Sequence, residues 1–236
     1  MNLVLLFHND FIRDTNRVRL KGRRLSHVRD VLRASAGDSL CVGIAGGDIG
    51  EAVITVINDE ALEMEVKAGH PPPPPLPVTI VLALPRPKVM RRVLVSMTAM
   101  GVKRIFLINA YRVEKSYWKS PLLGEDALDS NITAGLEQAR DTIFPEIILR
   151  PLFKPFAEDE LPGLIEGSLP LIAHPAAKEA CPRDVRQPVT LAVGPEGGFI
   201  PYEIEKLLAC GFKVVHIGER ILRVETAIPV LLSKLF

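Results

Sequence analysis

The chain has 236 residues, 47% of them hydrophobic, and a formal net charge of +1 at pH 7. This length holds one large domain or two small ones, and the composition is that of an ordinary globular protein. No apolar run reaches the roughly 20 residues of a membrane helix, and the amino terminus lacks the features of a signal peptide. The three cysteines are widely spaced, which predicts neither a disulfide framework nor a metal site. We therefore expect a cytoplasmic protein with no membrane partner.

Short strands with one helix predict a small β-barrel over residues 1–70. The predicted strands are Leu3–Phe7, Arg17–Leu20, Ser39–Ile44, Glu51–Ile57 and Leu62–Lys67. The helix is predicted over Arg24–Arg33, where apolar residues recur at helical spacing.

The segment from Phe11 to Arg33 is strongly basic, with eight basic and two acidic residues. Such a density of positive charge is a candidate for phosphate contacts, and the alternative is a solvated charged face. The candidate RNA-binding residues are Arg13, Arg17, Arg23, Arg24, Arg29 and Arg33.

Residues 71–77 contain six prolines and predict a stiff polyproline spacer between two domains. After it, strands and helices alternate over residues 78–236, which predicts a parallel sheet covered on both faces. The predicted strands are Val78–Leu84, Arg104–Asn109, Ile147–Leu149, Leu169–Ala173, Val189–Val193 and Lys213–Ile217. Helices are predicted over Lys88–Met100, within Leu122–Arg140, over Glu158–Glu166, from Pro201 to Ala209 or Cys210, and at the carboxyl terminus.

Two glycine-marked loops, Gly194–Gly198 and Gly218–Ala227, follow the last two predicted strands. In open α/β sheets this edge binds ligands, and glycine lets a ligand lie against bare backbone. Neither loop is a Walker or a GxGxxG motif. Glu196 and Glu225 suit a ligand that carries positive charge, whereas a simple turn is the alternative interpretation of the first loop.

The sequence GPEGGF, then a helix, then IGERILRVETA resembles the ribosomal RNA small-subunit uracil-N3 methyltransferases, which belong to the SPOUT class. The stretches HVRDVLR, EQAR and AHP agree with that family in order and spacing. The resemblance implies an α/β fold with a SPOUT-type parallel sheet and a C-terminal trefoil knot, after a PUA-like RNA-binding barrel. It further implies S-adenosylmethionine as cofactor, small-subunit ribosomal RNA as partner, and a homodimer.

The family's cofactor site, carried over to this sequence, involves three loops. The implied cofactor-binding residues are Ala173, His174, Gly194, Pro195, Glu196, Gly197, Ile217, Gly218, Ile221, Leu222, Glu225, Thr226 and Ala227. Glu196 or Glu225 would stabilise the positive sulfonium, or else accept backbone N–H bonds that hold the loop. His174, which precedes a proline, is interpreted as a loop-shaping residue.

The implied reaction requires the uridine to lose its N3 proton, and a cation near the base oxygens would stabilise the resulting anion. Arg223 is the first candidate for that cation and Arg140 the second. A carboxylate, Glu196 among the candidates, or water would accept the proton. The base must be unpaired or flipped out, because N3 lies on its pairing edge.

The sequence departs from the family pattern at two places. Ser96-Met97 and Ala99-Met100 replace the usual Gln-Lys and Glu-Leu of the helix, and Ile200 replaces an N-capping Ser or Thr. A lost N-cap costs roughly 1 kcal/mol. Two alternatives therefore stay open: methylation of another ribosomal or transfer RNA nucleotide, or a non-catalytic RNA-binding assembly factor.

Overall fold

The computed structural model describes residues 2–13 and 15–236. Met1 and Asp14, one of the two acidic residues in the predicted basic segment, lie outside the described residues. The chain divides into two compact units. The first unit comprises Met1–Pro74 and Thr133–Phe144, and the second comprises Pro75–Ile132 and Pro145–Phe236.

A five-stranded curled sheet forms the first unit, in the order β1-β3-β4-β5-β2. Its strands are β1 (Val4–Leu6), β2 (Arg17–Leu20), β3 (Ser39–Ile44), β4 (Ile49–Ile57) and β5 (Leu62–His70). β1 pairs with β3 in parallel, and the remaining pairs are antiparallel. Along β2, Val18 and Leu20 are buried while Arg17 and Arg19 are exposed, as expected for a strand with one face on a core.

The predicted basic helix is shorter and less regular than the periodicity indicated. Helix α1 spans Gly22–Ser26, and the chain continues into a π-helical turn over His27–Val31. Arg33 has a φ of 54°, so the backbone leaves the helical conformation there. A 3₁₀ turn, His8–Asp10, lies between β1 and β2.

Seven strands form the sheet of the second unit, all parallel, in the order β10-β12-β9-β11-β6-β7-β8. They are β6 (Val78–Ala83), β7 (Arg104–Ile108), β8 (Glu146–Arg150), β9 (Leu169–Ala173), β10 (Glu179–Ala180), β11 (Val189–Val193) and β12 (Lys213–His216). The parallel sheet is the one predicted, and β10 was missed because two residues carry no periodicity.

The helices of the second unit follow the predicted alternation. They are α2 (Pro87–Ala99), α3 (Glu125–Ala139), α4 (Phe153–Pro155), α5 (Leu161–Leu164), α6 (Pro201–Ala209) and α7 (Val224–Leu235). Further turns are Tyr117–Lys119, Pro121–Leu123 and a π-helical turn at Phe156–Glu160, which interrupts the helix predicted over Glu158–Glu166. Helix α7 packs against α2, and both bury their apolar faces in one core with the sheet.

The unit boundaries differ from the expected division at residue 77. Helix α3 begins in the second unit, but Thr133–Phe144 belongs to the first. The backbone N–H of Asn2 donates to the carbonyl of Glu137 (3.0 Å), and that of Gly46 donates to Thr142 (2.8 Å). These bonds explain why a segment so far along the chain is part of the first unit.

Strand order places the ends of three strands together. β9 lies between β11 and β12, and Ala173 is level with Val193 on one side and with Val215 on the other. The loops that leave these three strands therefore emerge side by side at the carboxyl edge of the sheet, where α/β proteins bind ligands.

No helix among the described residues combines the length and the apolar character needed to cross a membrane.

Candidate functional site

A cavity of about 510 Å³ opens where β9, β11 and β12 end. Its walls are the loop after β9, the loop Gly194–Phe199 after β11, and the loop after β12 with the start of α7. We call Gly194–Phe199 the glycine loop. The cavity has the size of a small-molecule site, and its three walls are the three loops selected from the sequence.

Backbone forms much of the cavity wall on the side of the glycine loop. A Cβ atom at Gly194 would lie 3.0 Å from the backbone nitrogen of Phe199 and 3.3 Å from the carbonyl carbon of Gly198. A side chain at Gly194 would therefore crowd this backbone, which would have to shift by a few tenths of an ångström. Gly198 and Gly218 have positive φ angles of 73° and 142°. Residues with a side chain rarely adopt this backbone conformation, so glycine is favoured at both turns.

Apolar side chains also line the cavity. Ile221 and Leu222 line the cavity, yet their side chains are 81% and 36% exposed. Ile217 and Val224 line the same region. Exposed aliphatic groups around a cavity fit the flat, weakly polar ring of a nucleobase better than a fully charged ligand.

Glu196 lines the cavity and also fastens the glycine loop. Its Oε1 atom accepts a hydrogen bond from the backbone N–H of Arg86 (3.1 Å), immediately before α2, and lies 4.0 Å from the guanidinium of that residue. The structural role weighed for this carboxylate is thus present in the structure. Its second oxygen is the group left to face a ligand.

Glu203 satisfies the backbone N–H of Ile200, the residue that precedes α6. This carboxylate, 2% exposed, accepts hydrogen bonds from the backbone N–H of Ile200 (2.9 Å) and of Tyr111 (2.7 Å). The N3 carboxylate of α6 reaches back to the cap residue, as in half of a capping box. Glu203 also joins the start of α6 to the loop after β7.

Arg112 makes a second connection between these two loops. Its guanidinium donates a hydrogen bond to the carbonyl of Gly197, and a Cβ atom at Gly197 would lie 2.9 Å from its Cδ atom. The absence of a side chain at Gly197 therefore makes room for Arg112.

The two candidate charges of the last loop are placed differently. Arg223 lines the cavity, and its exposed side chain forms no hydrogen bond or ion pair with residues 2–13 and 15–236. Glu225 does not line the cavity; it is mostly buried, 4.0 Å from Arg92. Arg223 is thus available to a bound substrate, whereas Glu225 pairs with a helix α2 side chain.

Two histidines at the cavity shape the backbone around it. Nδ1 of His174 accepts from the N–H of Ala176 (3.2 Å), and Nδ1 of His216 accepts from the N–H of Gly218 (3.1 Å). Both rings therefore carry the proton on Nε2 in their neutral form. The loop-shaping role of His174 stays a prediction.

The structure brings most of the proposed site residues together. Those that line the cavity are Ala173, His174, Gly194, Pro195, Glu196, Gly197, Ile217, Gly218, Ile221, Leu222, Arg223 and Ala227. Glu225 and Thr226 do not line it, and Arg140 belongs to the first unit, with a φ of 55°. Sequence reasoning missed His216 and Phe199, because a residue inside a strand or behind a glycine run shows no signal of its own.

Four of the six arginines proposed for RNA binding are ion-paired within the first unit. Arg17 pairs with Glu63, Arg23 with Glu137, Arg24 with Asp10, and Arg29 with Asp30 and Asp59. The Arg24 pair is bidentate, at 2.5 and 2.7 Å, and partly buried. Arg13 and Arg33 are exposed and form no ion pair with any described residue.

No group of three or more His, Cys, Asp or Glu side chains in the part of the chain that the structure describes could hold a metal ion.

Comparison with known proteins gives consistent matches. A family described as the RNA methyltransferase domain matches residues 72–236. The ribosomal RNA small subunit methyltransferase E of Treponema pallidum is 29% identical, over 96% of this chain and 87% of its own length. Its counterpart E 1 from Borreliella burgdorferi is 23% identical, over 96% of this chain and 94% of its own length. The structure of methyltransferase E from Neisseria gonorrhoeae, bound to S-adenosylmethionine, superimposes with a TM-score of 0.72 at 21% identity, over 98% of this chain and 96% of that one.

Proposed function

The chain belongs to the RNA methyltransferase domain family, and on that basis we propose that it methylates uridine N3 in 16S ribosomal RNA, with S-adenosylmethionine as methyl donor. The methyl donor follows from the cavity and from the cofactor in the Neisseria gonorrhoeae structure. The ribosomal substrate follows from the printed names of the spirochaete relatives. Uridine N3 is what the resemblance of the sequence to the uracil-N3 methyltransferases implies.

The observation that carries the proposal is the cavity itself. It combines bare backbone at Gly194, Gly197 and Gly218 with exposed aliphatic side chains at Ile221 and Leu222. Backbone N–H and C=O groups can read the polar edge of adenine, and the aliphatic groups can cover its faces. The free oxygen of Glu196 suits the positive charge of a sulfonium.

Arg223 is proposed to stabilise the uridine anion. Loss of the N3 proton places negative charge on the base oxygens. An unpaired guanidinium at the cavity can stabilise that charge by donating two hydrogen bonds to the base. When bound, S-adenosylmethionine supplies an electrophilic methyl group, so that the N3–carbon bond forms as the carbon–sulfur bond breaks. Glu196 or water takes the N3 proton.

We further propose that the C-terminal part of the second unit forms a trefoil knot. In the sheet, β9 lies between β11 and β12, so the chain crosses over β9 on its way from β11 to β12. Helix α7 then packs against α2. These features suit a threaded topology. The first unit is proposed to be a PUA-like barrel that contacts RNA through Arg13 and Arg33. A homodimer and a cytoplasmic location complete the proposal.

Two measurements test the proposed function. Calorimetry should detect one S-adenosylmethionine site per chain in the micromolar range, about −8 kcal/mol. Gly194→Ala should weaken this binding at least tenfold, because its Cβ atom would displace the glycine loop. Gly163→Ala is the matched control, since nothing lies within 4 Å of its Cβ position.

The second measurement is methyl transfer to small ribosomal subunits that lack the modification. Mass spectrometry should identify N3-methyluridine in the RNA. A methylated ribose or another methylated base would replace the proposed substrate, and cofactor binding without transfer would favour the assembly-factor alternative.

A further inference from the structure

The loop after β7 is joined to the glycine loop but is not part of the cavity wall. We call residues Tyr111–Lys119 the lip. Its backbone is held at Tyr111 by the buried Glu203, and Arg112 donates to the carbonyl of Gly197. Val113 is 7% exposed and packs in the core. Near its other end, the indole N–H of Trp118 donates to Asn109 at the end of β7 (3.0 Å).

One side chain of this well-anchored loop points away from the protein. Tyr111 is 80% exposed, although its own backbone N–H is fixed by the 2.7 Å bond to Glu203. A rigid aromatic side chain loses little conformational entropy when it binds a partner. Its exposure leaves both faces of the ring open to a flat ligand.

The loop that carries Tyr111 is basic. Arg112, Lys115 and Lys119 are the basic residues of the lip, against the single acidic Glu114. Lys115 and Lys119 are exposed and form no ion pair with any residue that the structure describes. The hydroxyl of Tyr117 donates to Glu114 (3.1 Å), so the one carboxylate of the lip is bonded to a neighbouring side chain of the same loop.

A loop that carries both an exposed aromatic ring and unpaired cations has the groups that bind single-stranded nucleic acid. Bases stack on the ring, and the cations follow the phosphates. This contrasts with the first unit, where four of the six candidate arginines already have carboxylate partners.

We infer that the lip is a binding surface for single-stranded RNA, with Tyr111 as the platform on which a base stacks and Lys115 and Lys119 as phosphate contacts. The inference rests on the proposed function, because it assumes an RNA whose target base is unpaired. The partner is recognised by base stacking and by the charge of its phosphates. The lip should therefore distinguish single-stranded from double-stranded RNA rather than one base sequence from another.

The experiment measures affinity for a fluorescently labelled single-stranded oligouridylate by anisotropy. Tyr111→Ala should weaken binding about 5- to 150-fold, the range observed when one stacking aromatic is removed. Tyr111→Phe should bind within about twofold of wild type, because it keeps the ring. Tyr202→Ala, which removes a tyrosine that is 44% exposed on α6, is the matched control and should have no effect.

Salt dependence tests the cations separately. The double variant Lys115→Gln/Lys119→Gln should reduce the slope of log K against log salt by about 1.4, at 0.7 per lost phosphate contact. An unchanged slope would remove the lysines from the surface. Unchanged RNA affinity in Tyr111→Ala would overturn the inference.

Two controls separate this inference from its alternatives. S-adenosylmethionine affinity should be unchanged in Tyr111→Ala, because Tyr111 does not line the cavity. If Tyr111→Ala instead changes the molar mass measured by light scattering, the ring is a subunit contact and the inference is wrong. If wild type binds oligouridylate through Tyr111 but methylates no ribosomal RNA, the proposed function is wrong, whereas the inference that the lip binds single-stranded RNA stands.

Discussion

Replacement of Glu203 by alanine should destabilise the second unit strongly. Its carboxylate is 2% exposed and accepts two backbone N–H groups, from Ile200 at 2.9 Å and Tyr111 at 2.7 Å. A hydrogen bond to a charged group contributes about 1.5–3 kcal/mol, and a buried donor left without a partner costs a similar amount. Since burying the carboxylate itself is unfavourable, we expect a net loss of about 3–5 kcal/mol.

Glu203→Gln isolates one of the two bonds. Glutamine keeps one acceptor oxygen but presents an amide NH₂ where the second oxygen stood, so it can satisfy Ile200 or Tyr111 but not both. The expected loss is about half that of the alanine variant. Glu205→Ala is the control, because Glu205 lies on the same helix and is exposed.

Urea denaturation followed by tryptophan fluorescence measures these losses. The only tryptophan of the chain, Trp118, lies in the lip and bonds to Asn109, so its emission reports on the second unit. A loss of less than about 1 kcal/mol in Glu203→Ala would refute the reasoning. S-adenosylmethionine binding should weaken in the same variant, since the loop that carries Arg112, the partner of Gly197, loses its bond to α6.

Three further predictions concern other parts of the molecule. Arg223→Ala should lower single-turnover methyl transfer by about 10²-fold while calorimetry shows nearly unchanged cofactor affinity, because the guanidinium acts on the anion. Arg24→Ala should lower the stability of the first unit in urea by about 2–4 kcal/mol through loss of its bidentate, partly buried pair, whereas the exposed Arg13→Ala should change it by less than about 0.5 kcal/mol. The hydrogen bond from Lys206 lowers the pKa of Glu158, so this pair stabilises the fold above the carboxyl's unfolded pKa. The difference in unfolding free energy between wild type and Lys206→Met should therefore shrink as the pH falls through the folded-state pKa of Glu158. Denaturation measured between about pH 7 and pH 3 tests this.

The cavity was predictable because its parts are local. Each of its three loops follows a buried apolar strand, and strands that alternate with helices end at one edge of a parallel sheet. Glycine marks the turns at Gly198 and Gly218, where the backbone adopts a positive φ. The resemblance to a known family then identified which ligand these loops suit.

Contacts between distant segments were not predictable in this way. Periodicity along α3 shows which face is buried but not what covers it, so the assignment of Thr133–Phe144 to the first unit could not be foreseen. The ion pairs of Arg17 and Arg23 depend on Glu63 and Glu137, which are far away in sequence. A dense run of arginines therefore overstated the free positive charge of the first unit.

The role of Glu203 shows the same limit at short range. Ile200 suggested a lost helix cap, and the cap residue indeed offers no side-chain acceptor, although Glu203 accepts from its backbone N–H. Its second bond, to the loop after β7, depends on where β7 ends in the folded sheet. Local signals predict elements and turns, whereas tertiary contacts decide what each polar group binds.

The most direct test of the account is methyl transfer to unmodified small ribosomal subunits, with the product nucleoside identified by mass spectrometry. Wild type should form N3-methyluridine, and Gly194→Ala should form little of it while Gly163→Ala matches wild type. A wild-type protein that binds S-adenosylmethionine but leaves the RNA unmethylated, or that methylates a nucleoside other than uridine at N3, would contradict the account.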